Sequence, residues 1–124
     1  MATFADVVRL SEQLPEVEQS TSYGTPALKV RGRSFCRLWG EREHARNGVD
    51  DSEVLVVFCE LEWKQALLDG SAGVLFTTPH YDNYQAILVR LSAADPSQLR
   101  ALLEEHWRTV APKRVVAAFD AASR

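Results

Sequence analysis

The first apolar residues of the chain recur at intervals of three or four between residues 4 and 14, which places them on one face of an amphipathic helix. Thr3 and Asp6 match a capping box in which Asp replaces the usual Glu. Pro15 disfavours helical geometry in the residue before it. We therefore predict a helix over residues 3–14.

The pattern then changes to the period of two that strands require. Ser20 to Tyr23 predicts a short strand, and the four residues from Ala27 to Val30 alternate between apolar and polar. Arg31-Gly32 is a tight-turn signal, after which the apolar run from Arg33 to Trp39 returns. These segments predict a hairpin with a basic tip.

The middle of the chain contrasts a polar segment with a wholly apolar one. Gly40 to Glu53 is charged and contains Gly48, which predicts a loop. Val54 to Phe58 is unbroken and apolar, so we predict a central strand.

The second half of the chain predicts helices around two further strands. Leu61 to Asp69 fits a short helix that Gly70 ends, and residues 74–77 and 86–91 fit strands. Asp95 and Pro96 suit the start of a long helix, and Pro112 the start of a short one. The predicted order is α-β-β-β-β-α-β-β-α-α. Because helices flank runs of strands, it favours an α+β fold with an antiparallel sheet.

Length and composition predict one domain over residues 1–124. Two cysteines, Cys36 and Cys59, are too few for a disulfide framework and lie in apolar runs, so we expect buried free thiols. The N-terminus has no signal-peptide pattern, and no apolar run approaches the ~20 residues that span a bilayer. We expect a cytoplasmic protein without membrane association, as a monomer or weak dimer.

Charge is distributed unevenly along the chain. The net charge of −3 counts against a dedicated nucleic-acid-binding protein. Between residues 29 and 46, however, six basic residues stand against two acidic ones, and a local patch can act independently of the total. The six are Lys29, Arg31, Arg33, Arg37, Arg42 and Arg46.

The basic hairpin supports two interpretations. A β-ribbon can enter a DNA groove, where arginines contact phosphates or base edges. Alternatively, the charges protect an exposed sheet edge from pairing with another chain. Both interpretations stay open at this point.

Nothing in the sequence assembles a catalytic or metal centre. The three histidines, His44, His80 and His106, lack metal-ligand spacing, and the glycines match no phosphate-binding loop. We predict neither an enzyme nor a cofactor or metal site. The alternative function is a small-ligand or protein-interaction site formed by aromatic and polar side chains, namely Trp39, His80, Tyr81 and Tyr84.

Several segments together resemble the MmcQ/YjbR-like family. The first comprises Leu14-Pro15-Glu16-Val17-Glu18 and the run from Tyr23 to Phe35, with its aromatic-Gly pair, strand, Gly turn and basic residue before Phe. The second runs from Thr77-Thr78-Pro79-His80-Tyr81 into the strand at 86–91, and the two helices over 96–122 complete the match.

The resemblance implies a CyaY-like α+β fold and DNA binding through a double-wing arrangement, with the hairpin around Gly32 as one wing. The chain departs from the family pattern at the second landmark. Tyr84 stands where a Trp is usual, and Asp82-Asn83 replaces a Lys-rich lead-in. That exchange removes positive charge from the second wing, which weakens the case for DNA as the partner.

Overall fold

A computed structural model of the chain describes residues 2–22, 24–49, 53–71 and 73–122. Strands β1 to β6 form one antiparallel sheet in the order β1-β2-β3-β4-β6-β5. The predicted α+β class is confirmed. The elements are α1 Phe4–Ser11, β1 Val17–Ser22, β2 Thr25–Val30, β3 Arg33–Leu38, α2 Glu41–Asn47, β4 Val54–Phe58, α3 Leu61–Asp69, β5 Leu75–Phe76, β6 Ala86–Arg90, a 3₁₀ turn Leu91–Ala93, α4 Pro96–Val110 and α5 Lys113–Ala122.

The central strand β4 has an apolar core on each side. Leu55 and Val57 point into the larger core, and Val54 and Val56 point into the smaller one on the opposite face. All four side chains are fully buried. This explains why the segment is apolar throughout, as a strand covered on both faces must be.

Helices α1, α4 and α5 cover the larger core. Trp107 of α4 is fully buried there, its ring lies edge-on to Phe119 of α5, and its indole Nε1 donates to the carbonyl of Pro15 at 3.0 Å. That bond ties the long C-terminal helix to the end of the N-terminal segment. The side-chain oxygen of Asp95 accepts from the Ser97 N–H at 3.2 Å, which confirms the predicted start of α4.

The predicted hairpin is confirmed, with positive φ at both turn residues, Arg31 and Gly32. Two successive positive φ angles give the turn that matches strand twist. The register shifts beside Leu28 so that Phe35 has no direct partner on β2, which is a β-bulge. The bulge changes the alternation in β3, and both Phe35 and Cys36 lie in the larger core.

The prediction of a loop over residues 40–53 is wrong in its first part, because Glu41–Asn47 forms α2. Its N-terminus is closed by Glu43, whose side chain accepts from the Gly40 N–H at 3.2 Å. Its C-terminus ends at Gly48 with a φ of 63°. Residues 50–52 of the predicted loop lie outside the described residues.

Both cysteines are free and buried, as predicted. Burial raises the pKa of the Cys36 and Cys59 thiols, which keeps them protonated and unreactive. Among the described residues, no helix has the length and apolar character to cross a bilayer.

Candidate nucleic-acid interface

The six basic residues of the sequence cluster do not form one surface. Four of them, Lys29, Arg31, Arg33 and Arg37, belong to the β2–β3 hairpin, where Lys29 and Arg31 lie beside acidic residues. Arg37 is buried beneath α2. Arg33, Arg42 and Arg46 are exposed and form no ion pair in the described part of the chain.

The positive charge of the hairpin tip is partly neutralised by acidic side chains of β1 and of the segment before it. Arg31 makes a two-point contact with Glu16, with Nε–Oε1 at 2.7 Å and Nη2–Oε2 at 3.3 Å. The half-buried Lys29 is the direct cross-strand partner of Glu18. Opposite charges at paired positions attract each other, so the tip offers less free positive charge than its sequence indicates.

The expectation that Arg37 contributes to an exposed basic hairpin is wrong, because only 7% of the residue is accessible. It lies on the face of β3 that α2 covers. Its Nη1 and Nη2 atoms donate to the two carboxylate oxygens of Glu43 at 2.6 and 2.7 Å. Arg37 is therefore an internal tie between β3 and α2.

Tyr81 completes this buried polar cluster. Its hydroxyl accepts from Trp39 Nε1 at 3.1 Å and from Arg37 at 3.2 Å, and donates to Glu43 at 2.7 Å. Burial alone would raise the pKa of Glu43, but the bonds from Arg37, Tyr81 and the Gly40 N–H lower it to about 2. Burial, with the bond to Glu43, raises the pKa of Tyr81 to about 12.

The segment from Thr77 to Gln85, here called the aromatic turn, is fixed by neighbouring helices. The buried Lys64 of α3 donates to the carbonyls of Tyr81 and Tyr84, the latter at 3.1 Å. Thr78 Oγ1 donates to Asn47 Oδ1 of α2 at 2.6 Å. The turn is consequently held from both sides in one position.

Two adjoining depressions share Tyr84. The α2 cleft, of about 650 Å³, lies between α2 and the aromatic turn; its lining includes Thr25, Arg42, Arg46, His80, Tyr81 and Tyr84. The β3 depression, of about 550 Å³, also includes Tyr84 in its lining, together with Arg33, Phe58, Cys59, Glu60 and Asn83. Arg42 and Arg46 thus line one depression and Arg33 lines the other, and Tyr84 lines both.

The structure brings together the four residues of the predicted ligand site but divides their roles. Trp39 and Tyr81 are buried and bonded to each other, whereas His80 and Tyr84 are exposed. His44, which the sequence placed in a solvated loop, is half-buried. Its Nδ1 lies 3.1 Å from the Val49 carbonyl oxygen and its ring lies edge-on to Trp39.

Sequence reasoning missed two residues that shape the site, Glu43 and Lys64. The spacing of Gly40 and Glu43 was the available signal for the first, since Glu commonly caps a helix three residues after its start. A lysine inside a helix gives no comparable signal of burial. Within the described ranges, no group of three or more His, Cys, Asp or Glu side chains has an arrangement that would hold a metal ion.

Comparison with known proteins supports a family assignment. The chain is 48% identical over 60 residues to an uncharacterized protein of Mycobacterium bovis strain AF2122/97, and equally to one of Mycobacterium tuberculosis strain H37Rv. Each alignment covers 48% of this chain and 46% of the relative, so the match spans about half the length of either relative. The family model for YjbR matches residues 12–109, most of the chain. The chain belongs to the YjbR family.

Proposed function

We propose that this chain binds DNA through the surface formed by the α2 cleft and the β3 depression. The observation that carries the proposal is the placement of Arg33, Arg42 and Arg46 around the exposed ring of Tyr84. Guanidinium groups suit phosphate oxygens, because the charge is permanent and the donors are arranged as a planar fork. The proposed role is binding, without catalysis.

The proposed contact surface excludes Arg31 at the hairpin turn, one of the candidate contacts in the sequence. Arg31 would have to give up two bonds to Glu16 before it contacted a phosphate. Arg33, Arg42 and Arg46 form no ion pair among the described residues, although Glu41 lines the α2 cleft and Glu60 lines the β3 depression. Exposed ion pairs are weak, so Arg31 is a secondary contact that DNA can recruit.

The test is the salt dependence of DNA binding, measured by fluorescence anisotropy with a labelled oligonucleotide. Each phosphate contact contributes ~0.7 to ~0.9 to the slope of log K against log salt. We expect Arg33→Ala, Arg42→Ala and Arg46→Ala each to reduce the slope by about that amount. Arg114→Ala is the matched control, because Arg114 is an exposed arginine on α5 and lines neither depression.

The control removes the same unit of charge, so it separates a local contact from a general loss of positive potential. Equal effects of Arg114→Ala and Arg42→Ala would show that only net charge matters. Absence of binding by the wild-type chain at ~20 mM salt, where phosphate contacts are least screened, would overturn the proposed function.

A second candidate function uses the α2 cleft alone. Its volume of about 650 Å³ lies within the usual range for small-molecule sites, and the cleft combines Arg42 and Arg46 with Tyr84 and His80. Such a lining suits a small anionic aromatic ligand. A thermal-shift screen with mononucleotides tests it: a shift with these compounds and no affinity for DNA would favour this alternative.

A further inference from the structure

We infer that the surface selects single-stranded over double-stranded nucleic acid, with the Tyr84 ring as the platform on which an unpaired base stacks. The inference rests on the proposed function and specifies its ligand. Unpaired bases expose a π-face that an aromatic side chain can cover, whereas bases in a duplex are already stacked on each other.

Tyr84 has the exposure and the support that a stacking platform requires. It is 45% exposed, although large aromatic residues are usually covered. Its ring lies edge-on to Phe58 and Tyr81, with centroid distances of 6.3 and 5.6 Å. Its backbone carbonyl is held by Lys64. The ring is therefore oriented before a ligand arrives, so ordering it adds little to the free-energy cost of binding.

Cationic side chains line both depressions that Tyr84 shares. Arg33 lines the β3 depression, and Arg42 and Arg46 line the α2 cleft. His80 adds a second exposed ring within that cleft. Exposed aromatic rings combined with basic residues match the general design of single-strand binding surfaces.

A duplex fits this surface less well because the surface is concave. Reading duplex DNA generally requires a protruding helix or ribbon that enters a groove. The β-ribbon available here is the β2–β3 hairpin, and its turn residue Arg31 is bonded to Glu16. The depressions beside Tyr84 instead suit bases that are splayed out from a flexible strand.

The experiment compares a single-stranded oligonucleotide containing 2-aminopurine with its duplex, by fluorescence and anisotropy at equal salt. We expect tighter binding of the single strand and quenching of 2-aminopurine. Base stacking on one aromatic residue is worth ~1–3 kcal/mol. Tyr84→Ala should therefore weaken single-strand binding by about fivefold or more, while Tyr84→Phe keeps the ring and should bind like wild type.

Trp63→Ala is the matched control, because Trp63 is a 61% exposed aromatic residue on α3 that lines neither depression. Circular dichroism of each variant reports whether it folds. Equal or tighter binding of the duplex, or unchanged single-strand binding by a folded Tyr84→Ala variant, would overturn the inference while leaving the proposed function in place. If neither form binds the wild-type chain, both fail together.

Discussion

The buried pair of Arg37 and Glu43 is the main local departure from what the charge pattern suggested. A guanidinium and a carboxylate in a two-point contact, with Tyr81 as a third partner, form a largely buried polar cluster beside α2. Removing one member of such a cluster takes a strong, charge-assisted partner from the others, which is destabilising. The cluster therefore fixes the positions of β3, α2 and the aromatic turn around the α2 cleft.

The lowered pKa of Glu43 predicts a specific loss of stability in acid. The carboxylate has a pKa of about 2 in the fold and near 4.5 when unfolded. Its contribution is therefore complete above pH 4.5 and is lost as the pH falls towards 2. The shift corresponds to about 3 kcal/mol at neutral pH, of which about 2 kcal/mol is lost by pH 3.

Urea unfolding of wild type and Glu43→Gln at pH 7 and pH 3 measures this directly. The glutamine is neutral at both pH values, so the difference in unfolding free energy between the two proteins should shrink by about 2 kcal/mol at pH 3. A difference that stays constant between the two pH values would contradict the assigned ionisation of Glu43.

His106 of α4 is a second ionisable side chain whose protonation should affect stability. It is 4% exposed, and neither ring nitrogen has a hydrogen-bond partner among the described residues. Burial lowers its pKa. Below pH ~6.5 the unfolded chain therefore takes up a proton that the folded chain does not. The free energy of unfolding consequently decreases as the pH is lowered.

We expect His106→Leu to raise the unfolding free energy at pH 7 by about 1 kcal/mol, because the buried polar ring is replaced by an apolar side chain. The variant should also lose the part of the pH dependence below pH ~6.5 that belongs to this histidine. Chemical denaturation at three pH values checks both. A less stable variant with the pH dependence of wild type would mean that the ring is satisfied in the native state.

Among the secondary-structure elements, α2 and the aromatic turn are joined by hydrogen bonds on the face of the sheet that carries the smaller core. Tyr81 of the turn bonds to Glu43 of α2, Thr78 bonds to Asn47, and Lys64 of α3 holds the turn from the other side. These bonds position Tyr84 and His80 beside Arg42 and Arg46. The geometry of the proposed site thus depends on side chains that would not contact a ligand.

Tyr81→Phe tests that dependence. Loss of the hydroxyl removes the acceptor for Trp39 and the donor to Glu43, which should lower the unfolding free energy by about 1–3 kcal/mol. Tyr84→Phe is the control, because that residue is exposed and should change stability by less than about 0.5 kcal/mol. Similar urea midpoints for the two variants would argue against a structural role for the cluster.

The elements show where sequence patterns sufficed and where they did not. The strand β4 was predictable from its unbroken apolar run, α3 from the glycine that ends it, and α4 from its Asp95-Pro96 start and apolar spacing. Helix α2 was missed because it has no buried apolar stripe: it attaches to the sheet through polar bonds. Spacing along the chain cannot show that Glu43 meets Arg37 and Tyr81, since those contacts exist only after folding.

The residues of the candidate site were also only partly predictable. The sequence identified the basic residues as a set. It could not show that Arg31 pairs with Glu16 and Arg37 with Glu43, which leaves three other arginines exposed. Of the four residues predicted for a ligand site, Trp39 and Tyr81 are buried and His80 and Tyr84 are exposed. Composition therefore suggested candidate residues, and the fold determined which of their side chains are accessible.

At the scale of the whole molecule, an acidic protein presents a small basic surface. The net charge of −3 repels a polyanion at long range, while Arg33, Arg42 and Arg46 attract it locally. We therefore expect modest affinity that declines steeply with salt, with association slower than for a basic protein. Equilibrium affinities at two ionic strengths provide the check; an affinity independent of salt would contradict this expectation.

The central claim is that nucleic acid contacts the surface around Tyr84. The most direct measurement is a titration of ¹⁵N-labelled protein with a single-stranded oligonucleotide at low salt, followed by NMR. We expect the largest shift changes to cluster in α2, in the aromatic turn and at Arg33. Changes confined to the hairpin turn at Arg31 and Gly32, or spread over α5, would contradict it.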